Sequence, residues 1–121
     1  MTVASLTANQ LRQEYAALTA AGSLGGAAKL YQFERMCWEL ASQGNDLTKP
    51  VAFTLAAVFE FLGRRQDGVP VTFEEAQLVY SFLNQPIVAC LDFLAGRDPI
   101  ANPLQLIGGI AAAYDRYRQV S

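Results

Sequence analysis

Residues 51–62 read Val-Ala-Phe-Thr-Leu-Ala-Ala-Val-Phe-Glu-Phe-Leu, and this stretch decides the fold. Only Thr54 and Glu60 are polar in it. Ala and Leu favour helix, and a helix that is apolar on nearly all sides has to be surrounded by other elements. Its entry and exit are written beside it. Thr48 opens the segment, with Pro50 in the first turn, where a missing N–H costs nothing. Gly63, Arg64, Arg65 and Gln66 carry the chain back to solvent. A helix over about 50–64 is therefore predicted at the centre of the fold.

Outward from this centre, the punctuation delimits further helices. Towards the N-terminus, a helix is predicted from Ala27 to Ser42. Its stripe is Leu30, Phe33, Cys37, Leu40 and Ala41, with Trp38 beside it. Gly22, Gly25 and Gly26 make the loop before it, since each glycine costs about 1 kcal/mol in a helix relative to Ala. A first helix is predicted to begin at Thr7, where Thr7 and Gln10 form a capping box and Leu6 and Leu11 a hydrophobic staple. Leu11, Tyr15 and Leu18 give its inner face, and Gly22 ends it.

Towards the C-terminus, Asp67-Gly68-Val69-Pro70 is a turn. Thr72 and Glu75 form a second capping box, opening a helix with Leu78, Val79, Phe82 and Leu83 inside. Pro86 is predicted to break that helix, because the residue before a proline is pushed out of helical geometry. A short helix over Pro86–Leu94 follows and ends at Gly96. Asn102 caps a last helix over 103–119, with Pro103 in its first position. Its predicted inner face is Leu106, Ile107, Ile110, Ala111, Tyr114 and Tyr117. The expected fold is all-α: one domain over residues 1–121, a compact orthogonal bundle of five to six helices.

Composition narrows the function. Of 121 residues, 52% are hydrophobic and 19 are Ala. Two Lys and seven Arg give a net charge of −2 without any basic tract, so the electrostatic footprint of nucleic-acid binding is missing. The uncharged runs 76–91 and 99–114 contain Asn, Gln and Pro and fall short of the roughly 20 apolar residues of a membrane span. The N-terminal stretch has no basic region followed by an apolar one, so no signal peptide is read there. The expectation is a cytoplasmic protein with neither nucleic-acid nor membrane partners.

Histidine is absent. That removes Ser-His-Asp and Cys-His arrangements and every His-containing metal site. Cys37 and Cys90 are expected as two reduced, buried thiols. Glu60 and Asp92 are the carboxylates most embedded in apolar sequence, each expected to pair with an Arg or face solvent. No phosphate-cradling motif follows a strand, so the Gly22–Gly26 loop fails the context test for nucleotide binding. No catalytic residue, cofactor or metal site is assigned.

The stretch TFEEAQLVYSFLNQPIVACLDFLAG, residues 72–96, resembles the outline of a helix-turn-helix. Within it, QPIVACLDFL looks like the recognition helix of a winged-helix domain. That segment carries no Arg or Lys, its one charge is Asp92, and no wing follows. The resemblance therefore implies packing or dimerisation rather than DNA reading.

Gly108-Gly109 is the least ordinary feature. Two glycines within a helix cost roughly 1–2 kcal/mol against Ala, so a close neighbour is expected against them, inside the chain or in a second protomer. The predicted interface is Leu106, Ile107, Gly108, Gly109, Ile110 and Tyr114. The expected function is a non-enzymatic protein–protein interaction module, homo-oligomeric, serving as adaptor, assembly factor or regulator. The alternative is a small apolar-ligand or pigment binder built on the many aromatics, and after it a small carboxylate- or thiol-based enzyme.

Overall fold

The computed structural model describes residues 3–24 and 26–120. Five helices follow in order: α1 (Val3–Leu18), α2 (Ala27–Gln43), α3 (Thr48–Gln66), α4 (Phe73–Leu94) and α5 (Pro103–Val120). A 3-10 turn, Thr19–Ala21, extends α1. No strand occurs among the described residues. The chain exposes 6510 Å², close to the roughly 6,400 Å² expected of a folded monomer of this mass.

The stretch 51–62 lies in α3 and supplies much of the core. Val51, Ala52, Leu55, Ala56, Val58, Phe59 and Leu62 are buried. Asn45 starts the helix by accepting from the N–H groups of Leu47 (2.9 Å) and Thr48 (3.0 Å). At the core centre the rings of Tyr15, Phe33 and Phe59 meet with centroids 5.4–6.4 Å apart. This cluster joins α1, α2 and α3. Burial was not complete around α3, however: Phe53 and Phe61 remain 57% and 44% exposed.

Two boundaries differ from the sequence reading. Helix α1 begins at Val3, so Thr7 lies inside it and is not its cap; the Leu6 side chain of the expected staple lies outside the described residues. Helix α4 runs unbroken through Pro86. A proline there removes one backbone hydrogen bond and costs about 3 kcal/mol or more. What offsets this is a single buried stripe spanning both sides of the proline: Val79, Leu83, Ile87, Cys90 and Leu91. With one continuous helix over 73–94, the helix-turn-helix outline does not exist.

Other ends match. Thr72 Oγ1 accepts from Glu75 N–H at 3.1 Å, although the Glu75 carboxylate turns to Tyr117 instead of closing the box. After α4, Gly96 is left-handed (φ 77°), Gly96 N–H reaches Phe93 C=O, and Arg97 N–H reaches Asp92 C=O. That pair of bonds is a Schellman ending. Asn102 Oδ1 accepts from Leu104 N–H at 3.0 Å and caps α5.

Candidate functional site

Helix α5 packs against α3 and α4. Two contacts set its register on α3: the rings of Phe61 and Tyr114, 5.7 Å apart, and Arg65 over the Tyr117 ring at 5.3 Å. Residues 61 and 65 thus meet 114 and 117, and the two helices run in the same direction. Tyr117 also donates to Glu75 Oε1 at 2.6 Å, tying α5 to α4. Burial and this bond to a carboxylate both raise the Tyr117 pKa.

The six predicted interface residues do not share one face. Ile110 is fully buried in the chain's own core. Leu106, Ile107 and Tyr114 are half-buried and pack against it. Gly108 and Gly109 point the other way, to solvent. A Cβ built on either would meet nothing within 4 Å. The expected internal neighbour against the glycine pair is therefore absent among the described residues. Ala111, expected inside, is exposed as well, and Ala113 takes its place in the core.

What remains outward on the first three turns of α5 is Leu104, Gln105, Gly108, Gly109, Ala111 and Ala112. None is charged, and Leu104 is 78% exposed. Charges resume only at Asp115, Arg116 and Arg118. A second apolar surface lies on α2 and α3, where Trp38 and Phe53 meet edge to face at 5.0 Å. Trp38 donates to Glu34 Oε2 at 2.9 Å. Sequence reasoning missed Phe53 and Phe61 as surface residues. The signal was present: Glu60 and Arg64 mark the outward side of α3, and at 100° per residue Phe53, Ala57 and Phe61 fall beside them.

The reactive groups are quiet. Cys37 and Cys90 are buried and unlinked. Burial raises both thiol pKa values, that of Cys90 to about 12, and a protonated thiol is a weak nucleophile. Asp92 accepts from Arg12 Nε at 2.8 Å, and Glu60 pairs with Arg64 one turn on. Among the described residues no group of three or more His, Cys, Asp or Glu could hold a metal ion, and no helix is long and apolar enough to cross a membrane.

Compared with known proteins, the chain finds no match: no family model, no curated protein and no solved structure.

Proposed function

We propose that the chain is a non-enzymatic protein–protein interaction module, an adaptor, assembly or regulatory factor that self-associates through the outer face of α5. The observation that carries this reading is the solvent-exposed Gly108-Gly109 pair, with open space above both residues. Among the described residues nothing packs against the pair to offset the cost of two helical glycines, about 1–2 kcal/mol. A second helix approaching closely would. The uncharged surroundings of the pair suit such an approach, and a two-fold dimer is the commonest way to bury a self-complementary face. The buried thiols and the Arg-paired carboxylates support a role without catalysis.

Sedimentation at micromolar concentration tests this. A dimer of about 26 kDa is expected from the 13.2 kDa chain. Gly109→Leu has no neighbour to clash with inside the chain, so it should fold with unchanged helicity and sediment as the monomer. Wild-type protein that stays monomeric at every concentration would sink the proposal.

A further inference from the structure

The apolar surface of α2 and α3 and the outer face of α5 adjoin. Phe61 packs on Tyr114 at 5.7 Å, and α3 and α5 run in the same direction. Phe53, Ala57 and Phe61, one turn apart on α3, therefore lie alongside the Leu104–Tyr114 stretch of α5. At 100° per residue, Leu104, Gly108 and Ala111 fall on the side of α5 next to this row. The two rows make one continuous band. Its α3 half carries rings: Phe53 is 57% exposed and Phe61 44%, with Trp38 of α2, 36% exposed, set edge to face against Phe53. Its α5 half is low, since Gly108 has open space above it and Ala111 carries only a methyl group.

No charged residue stands on either row. Nearby, Glu60 pairs with Arg64 and Asp115 with Arg118 inside the chain. Area says what such a band needs. A standard interface buries about 800 Å² on each partner, from roughly 20–30 residues a side. The outer face of α5 falls well short by itself, because most of its uncharged residues are Gly or Ala. At their exposures, Trp38, Phe53 and Phe61 add roughly 300 Å² of ring surface. An uncharged band of this size, joined to the α5 face, marks an interaction site rather than ordinary solvent surface.

We infer that a second copy of the chain covers this band, so that Phe53 and Phe61 seal the dimer together with α5. The inference rests on the self-association proposed above. A two-fold axis running between α3 and α5, parallel to both, lays the α3 row of one protomer over the α5 row of the other. The rings of one copy then pack against Gly108 and Ala111 of its partner, and the contact occurs twice. Rings meet small residues in both halves, as a self-complementary two-fold interface requires. Gly108 gains the close neighbour that it lacks within the chain.

The full-length chain carries its own reporter, since Trp38 is its only tryptophan. Sedimentation and Trp38 emission are followed over the same range of protein concentration. Emission should move to shorter wavelength as the band is covered, with the same midpoint as the sedimentation transition. Phe53→Ser and Ala57→Glu should each raise the dimer dissociation constant about tenfold or more, with helicity by circular dichroism as in wild type. The emission measurement needs no substitution, so it decides even where a variant folds poorly. A wild-type dimer whose emission stays constant through the transition would overturn the inference and leave association through α5 standing. So would association of both variants within twofold of wild type. A chain that is monomeric at every concentration would overturn both.

Discussion

Gly63 in α3 and Gly108-Gly109 in α5 sit in equally apolar helices and do opposite things. A Cβ on Gly63 would come within 2.8 Å of the Tyr31 ring. Here the missing side chain lets α2 and α3 close on each other, and Tyr31 is held there by its bond to Asp67 at 3.2 Å. Above the α5 pair there is empty space. The role that the sequence suggested for the α5 glycines belongs, inside this chain, to Gly63. Apolar content states that a helix needs cover. It does not state who provides it.

The largest expected effect lies on the covered side of this contrast. Phe59 is fully buried at the meeting of three helices. Phe59→Ala should cost about 3–5 kcal/mol, as large-to-small core changes do, against a typical total of about 5–15 kcal/mol. Urea unfolding measures it, and an unchanged midpoint would mean that the core centre is elsewhere.

Alanine at the two kinds of glycine sharpens the comparison directly. Gly63→Ala must displace the Tyr31 ring, and overpacking of this sort costs about 1–3 kcal/mol. Gly108→Ala has room and removes a helix-weakening residue, so the monomer should gain about 0.5–1 kcal/mol. Opposite signs in unfolding at low concentration are expected. Equal signs would remove the distinction between the two sites.

The smallest effect near neutrality comes from the core thiols. Cys37 and Cys90 have folded pKa values raised by burial above an ordinary 9.0. A raised folded pKa gives stability that is fully present below the unfolded pKa and lost as pH rises through the folded one. Stability should therefore be flat below about pH 8, then fall above about pH 9 as the thiols of the unfolded chain ionise. In Cys90→Ala the fall should be shallower; an identical slope would show that Cys90 is not the buried acid.

Much of the bundle was legible because helix ends are written in short local codes. Thr72, Asn102 and Gly96 act as their residue types dictate. The reading failed where tertiary burial overrode a local code. Pro86 is a sound stop signal by itself, yet the stripe from Val79 to Leu91 outweighs it. Thr7 looks like a cap and sits inside a helix. The candidate site was legible only in part. Sequence singled out the glycine pair as unusual, but spacing alone could not say that Ile110 and Gly109, adjacent in the chain, face core and solvent. Gly63 and Gln66, read from sequence as carrying the chain back to solvent, are buried instead, since their burial depends on how α3 packs against its neighbours.

The pairing of α2 with α3 is the most extensive in the molecule, and only residues 44–47 separate the two helices. Helix α1 is anchored very differently: Arg12 reaches Asp92 and Tyr15 reaches Asn84 at 2.9 Å, 80 and 69 residues away. Closing a short loop loses less chain entropy than closing a long one, and contacts between sequence neighbours form fastest. Loop-closure entropy thus favours the α2–α3 hairpin over the long-range contacts of α1. The α2–α3 contact needs only neighbouring chain, whereas the Arg12–Asp92 and Tyr15–Asn84 bonds of α1 form only once α4 is in place.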